Sequence, residues 1–170
     1  MSPKPVGTPV NEQTAFGVGF TLYKDWELSV WLNLDANQIQ SHKNVLHLMS
    51  PERTERILTI FQSPKSYGNK LRIRAHVNGE NSYYDTKNLT PGWHWLKVAH
   101  RVNQYGKFTY SISIDGDNSY SVENQTPEIF ENVNAYFSFS AHYPSYAIPD
   151  YTNVYAGAAG KFKNLRLDSE

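Results

Sequence analysis

Apolar and polar residues alternate in short runs along most of this chain, and turn-forming residues separate the runs. From Trp26 to Leu34, Trp26, Leu28, Val30, Leu32 and Leu34 share one side while Glu27, Ser29, Trp31 and Asn33 share the other. Successive side chains of a strand point to opposite faces, so this run predicts a strand with one covered face. Ala15 to Tyr23, Val45 to Met49, Arg56 to Phe61 and Leu71 to Val77 read the same way, the last with Arg72, Arg74 and His76 opposite Leu71, Ile73, Ala75 and Val77. Asn78-Gly79 is a two-residue hairpin signal, because a type I′ turn needs positive φ at both central positions, and it brings Ser82 to Thr86 back alongside. A second hairpin runs from Trp93 to Val102 and back from Phe108 to Ile114, framed by the turn pairs Pro91-Gly92 and Asp115-Gly116. Ser119 to Val122, Val133 to Ala141 and Gly160 to Leu167 complete the strands. Thr126, as a cap before Pro127, predicts a helical turn to Asn132, and His142 to Tyr155 reads as a long loop. Many short strands with frequent turns predict an all-β sandwich, with a closed barrel as the other architecture.

The segment Leu89 to Gly116 holds a leucine, a turn glycine, the pair Trp93-His94, an alternating strand and the ending Ile114-Asp115-Gly116. In that order these residues resemble the laminin G-like module of the concanavalin A-type jelly-roll superfamily. Ala156 to Leu167, where a glycine precedes Phe162-Lys-Asn-Leu-Arg-Leu167, is similar to the last strand of that family. The resemblance runs from Asp25 to Leu167 and implies a jelly roll of two curved antiparallel sheets, with ligands on the concave sheet or the rim loops. It also implies that His94 is structural. It implies a function only weakly, since unrelated functions share such folds.

A chain of 170 residues suffices for one domain that buries roughly 70% of its unfolded surface. Residues 1–12, with three prolines, read as an extended lead-in, and 13–170 as the single domain. Sixteen basic residues balance sixteen acidic ones, which argues against nucleic acid as a partner. The absence of cysteine excludes disulfides and thiolate metal sites. No run approaches the ~20 apolar residues of a membrane helix, and the first residues lack the apolar centre of a signal peptide. The family resemblance favours an extracellular setting; the residues themselves leave a cytoplasmic one open. The sequons at Asn88 and Asn124 are too short to decide.

Enzymes of this fold set the first chemical question. A retaining glycosidase needs two carboxyl groups ~5 Å apart, and no predicted strand carries alternating acidic residues. Arg53-Thr-Glu-Arg56 is similar to the Arg-Thr-Glu-x-Arg motif of alginate lyases, but an arginine follows Glu55 directly and the Gln-x-His partner of that motif is not found in the matching place. The stretch Arg74 to Asn78 is similar to the His-x-Asn core of galectins, yet Glu80 stands where their arginine belongs. Of six histidines, His94 and His100 share a strand face but lie too far apart for one ion. Many laminin G-like modules bind calcium through loop oxygens, and Asp150 and Asn153, with Asp115 and Asp117, are the candidate ligands.

Recognition of a glycan or a protein fits the residues best. Aromatic rings supply rigid contact area, and arginine fixes orientation by hydrogen bonding. The candidate face holds Arg72, Arg74 and His76, with Trp93 and Trp95 beside it, and the tyrosine-rich loop adds Tyr143, Tyr146 and Tyr151. The expected function is a non-catalytic recognition module; the alternatives are a small polysaccharide-active enzyme on the same scaffold and a self-assembling structural protein.

Overall fold

Alternation along the chain becomes two layers of strands. The computed structural model describes residues 15–35, 42–49, 56–77, 80–124, 128–137, 142–144, 154–156, 158 and 160–169. The strands are β1 (Ala15–Leu22), β2 (Trp26–Leu34), β3 (Lys43–Met49), β4 (Arg56–Gln62), β5 (Leu71–Val77), β6 (Glu80–Asp85), β7 (His94–Val102), β8 (Phe108–Ile114), β9 (Asp117–Asn124), β10 (Phe130–Phe137), β11 (His142–Pro144), β12 (Val154–Ala156) and β13 (Gly160–Ser169). One sheet has the order β1-β10-β3-β4-β5-β6, the other β13-β2-β7-β8-β9, and β11 pairs with β12. All of these neighbours run antiparallel.

The apolar sides of the two large sheets face each other. Leu28, Val30 and Leu32 of β2, Val98 of β7 and Ile112 of β8 meet Leu46, Leu48, Leu58, Ile60, Ile73 and Val133 from the six-stranded sheet in one buried cluster. Burying each Leu or Ile contributes about 1.5–3 kcal/mol, so the cluster is what holds the layers together. The opposite side of each sheet then carries the polar partners: Arg72, Arg74 and His76 on β5, and Trp31 and Trp95 on β2 and β7.

Two expectations change, and a third runs beyond the described residues. No helical turn forms at Phe130 to Asn132; these residues already belong to β10, and Phe130 pairs with Leu22. Asn132 adopts φ +54°, a left-handed conformation that asparagine tolerates, and the pairing of β10 with β1 is irregular here. The strand predicted to reach Ala141 is described only to Phe137. The long loop from His142 contains the short pair β11 and β12 instead of continuous coil. In β13, Asn164 at φ +53° marks a bulge between Lys163 and Arg166, so Phe162 and Leu165, three residues apart, both reach the interior. Gly160 opens β13 where a Cβ would lie 2.4 Å from the Asn33 carbonyl oxygen, which only glycine permits.

Candidate functional site

The hairpin of β5 and β6 fixes what stands beside the arginines. Val77 pairs with Glu80, so Arg74 stands opposite Tyr83 and Arg72 opposite Asp85. Arg72 donates from Nε and Nη2 to the two Asp85 carboxylate oxygens at 2.8 and 2.9 Å, a bidentate pair. The hydrogen bond from Arg72 holds the Asp85 carboxyl below the usual carboxylate range, and the same bond raises Arg72. The Arg72 guanidinium also lies 4.3 Å from the centre of the Tyr83 ring, and that of Arg74 lies 5.3 Å from it. Tyr83 is 54% exposed. Arg74 has no ion pair among the described residues. One arginine is neutralised, therefore, and its neighbour keeps its charge on an open aromatic surface.

The same row continues inward across the sheet. Arg74 pairs with Thr59 on β4, and Thr59 with His47 on β3. Thr59, His47 and Asn44 are buried although they lie on the side away from the core, and the Thr59 hydroxyl and Asn44 amide have no hydrogen-bond partner among the described residues. His42 packs edge-on against Phe61 and Tyr67, and burial, helped by the nearby Arg72 charge, lowers its pKa. The face thus runs from buried polar groups at β3 to an exposed aromatic and cationic edge at β6.

His76 shares the face by register but is turned to the end of the sandwich, where it meets the Phe130 ring edge-on and stands 3.6 Å from Glu128. Trp93 and Trp95 are not beside the arginines. β7 belongs to the five-stranded sheet, so its outward side chains face the opposite way from those of β5. Tyr146, Asp150, Tyr151 and Asn153 lie outside the described residues. Tyr143 is placed in β11, opposite Tyr155.

The residues that carried the family resemblance form a clasp. The His94 Nδ1 is 2.6 Å from Asp115 Oδ2, its Nε2 is 2.6 Å from the Thr90 carbonyl oxygen, and the Trp95 N–H donates to Asp115 Oδ1 at 2.8 Å. Gly92 and Gly116, at φ +110° and +87°, make the turns on either side. Burial alone would raise the Asp115 carboxyl; the hydrogen bonds from His94 and the Trp95 N–H outweigh it and hold the group below its ordinary value. Each Asp115 oxygen is thus engaged in one hydrogen bond of the clasp. Asp117 stands 4.0 Å from Lys87. Among the described residues no three acidic or histidine side chains are grouped to hold a metal.

No protein-family model matches this chain, and no curated protein matches it in sequence. Solved structures match it in shape. Domains LG4-5 of the mouse laminin alpha1 chain superpose with a TM-score of 0.60 at 13% identity, over 100% of this chain and 44% of that one. The fold is a concanavalin A-like jelly roll, laminin G-like in kind. The CBM40 of the Ruminococcus gnavus IT-sialidase, bound to alpha2,3 sialyllactose, gives 0.56 at 8% identity over 91% of this chain and 88% of its own. The endo-beta-1,4-glucuronan lyase of Trichoderma reesei gives 0.55 at 12% identity over 97% and 79%. This jelly roll, whose span is less than half of the laminin chain, thus shares its fold with both binding modules and lyases.

Tyr83 and Asp85 were absent from the sequence-based site, although the Asn78-Gly79 turn already sets their register: a two-residue loop makes 77 face 80, 74 face 83 and 72 face 85. His47 and Thr59 had no such signal, because the β3 to β4 connection is longer and the pairing shifts twice along it.

Proposed function

We propose that this domain binds an acidic glycan on the outer face of the six-stranded sheet, with Arg74 meeting the carboxylate and the Tyr83 ring stacking on the sugar. The observation that carries the reading is Arg74 itself, a cation without a carboxylate partner among the described residues, lying over an exposed tyrosine. An anion there gains a charge-assisted hydrogen bond, and the apolar face of a sugar ring gains aromatic contact. Arg72, locked to Asp85, stays in contact with the Tyr83 ring instead of competing for the ligand. Two fold neighbours support the class: a module bound to sialyllactose and a glucuronan lyase, each named for a sugar that bears a carboxylate.

Calorimetric titration with sialyllactose and oligoglucuronate, against neutral lactose as control, tests it. Arg74→Ala is expected to weaken binding by about 1.5–3 kcal/mol, the worth of a hydrogen bond to a charged group, with folding unchanged. Binding of the acidic sugars that survives both Arg74→Ala and Tyr83→Ala would place the site elsewhere.

A second reading, cleavage of the same polymer, rests on His47 standing in the Arg74 row, two strands away. Its imidazole is buried and out of a polymer's reach, so binding is the better supported of the two. Size-exclusion analysis of polyglucuronate after incubation separates them: a binding module leaves chain length unchanged.

A further inference from the structure

The outer face of the five-stranded sheet is divided by charge. Toward one end, and as far as the row of Lys97, its basic residues are matched: Arg101 pairs with Asp25 and Glu27, Lys107 with Glu123, and Arg166, level with Lys97, with Asp168. Toward the other end Lys97, Lys161 and Lys163 have no acidic partner among the described residues. Here stand the tryptophans that the core does not use. Trp31 and Trp95 pair in register on adjacent strands with ring centres 6.4 Å apart and 28° between planes, and Trp93, next along the chain on the same face, is 37% exposed. The lysines lie on these rings: Lys163 Nζ is 4.4 Å from the centre of Trp93 and 5.4 Å from that of Trp31, and Lys97 Nζ is 5.5 Å from that of Trp95.

We infer that this tryptophan and lysine platform is a second ligand surface, separate from the Arg74 face, and that it takes an anionic polysaccharide chain. Charge complementarity selects an anion, since the unmatched lysines are gathered at one end of a face whose other cations are all paired. The aromatic floor selects the kind of anion. In a sulfated or uronic sugar the charge is borne by the ring that stacks, so indole and ammonium, already in contact, meet ring and anion together. In a nucleotide the ribose separates phosphate from base. A membrane would need a broad apolar surface that inserts, and here the indoles are interleaved with lysines, with Ser29 and Ser113 standing opposite Lys97 on the neighbouring strands. An exposed cation–π contact is weak, so a lysine leaves the ring face for the anion at small cost.

Indole fluorescence reads the platform directly. A heparin oligosaccharide is titrated against the intact chain, with neutral dextran, oligothymidylate and phosphatidylserine/phosphatidylcholine vesicles as parallel probes. The expected result is saturable quenching by the heparin oligosaccharide alone, weakened about tenfold in Lys97→Gln/Lys163→Gln and reduced by added salt. Arg74→Ala, which removes the proposed site on the other sheet, keeps the quenching, so the two sites fail independently. Trp31→Phe, a smaller change whose folding is checked by circular dichroism, weakens binding as well. Absence of saturable quenching, quenching indifferent to the lysine variant, or tighter binding of oligothymidylate or vesicles than of the sulfated chain would overturn the proposal.

Discussion

Asp115→Asn isolates the charge in the clasp that ties the start of β7 to the end of β8. The substitution keeps an acceptor for the Trp95 N–H and tolerates the φ of +52° at this position, so the loss is confined to the charged bond with His94. A hydrogen bond to a charged group contributes about 1.5–3 kcal/mol, and with the Asp115 side chain 44% exposed solvent screening brings this to about 1 kcal/mol. Asp115→Ala also loses the Trp95 bond and strains the backbone, for a total of about 3 kcal/mol. The assay is urea unfolding near neutral pH with a chelator present, so that no metal contributes. With a slope of about 2 kcal/mol per molar, the Asn variant should shift the midpoint by about 0.5 M at unchanged slope. The sign with pH follows from the lowered Asp115 carboxyl: a group depressed in the folded state contributes fully above the unfolded carboxylate value, and its contribution fades as pH falls through the lower folded one. The gap between wild type and Asp115→Asn should therefore be complete above about pH 5 and close below about pH 4. A gap that persists undiminished at pH 2, or an Asn variant as stable as wild type at neutral pH, would refute the clasp as a charged contact.

Tyr110 is fully buried and its hydroxyl has no hydrogen-bond partner among the described residues, so Tyr110→Phe is expected to leave stability unchanged or raise it by up to about 1 kcal/mol; a loss of melting temperature would contradict this. His100 donates from Nδ1 to the Lys24 carbonyl and accepts at Nε2 from the Asn124 amide, an arrangement that suits the neutral ring, and burial lowers its pKa against the milder opposing effects of Lys24 and Asp25. The unfolded chain takes up that proton first, so this contribution is complete above about pH 6.5 and declines as pH falls below it. Proton NMR should find the His100 ring titrating below the ordinary histidine range, and His100→Gln should flatten the fall in stability between about pH 6.5 and 5.

How far the sequence could be read depended on whether pairing is local. β2, β5 and β8 were legible to the residue because alternation and short turns fix both phase and ends, and the paired hairpin residues Tyr83 and Asp85 follow by counting from Asn78-Gly79. The placement of Trp93 and Trp95 was not legible. Which sheet a strand joins is decided by pairing across the whole chain: β7 pairs with β2, some 65 positions earlier, and no residue near Trp93 announces it. The helical turn misread at Phe130 had a local signal in Thr126-Pro127, and tertiary pairing with β1 overrode it. The family-like residues were visible for a different reason. A turn clasped by His94 and Asp115 needs those side chains at that spacing, whereas a ligand face such as Arg74 with Tyr83 needs only compatible neighbours and leaves a weaker imprint.

Asn164 has a reach beyond its own place in the chain. By inserting one unpaired step it changes the reading frame of β13, so a single strand offers Lys161 and Lys163 outward and still tucks Leu165 and Leu167 beneath. Were Asn164 instead an ordinary paired residue of the strand, the downstream frame would invert: Leu165 and Leu167 would surface while Arg166 and Asp168 would be driven under the sheet. The electrical character of that edge of the sheet thus hangs on one unpaired step in a single strand.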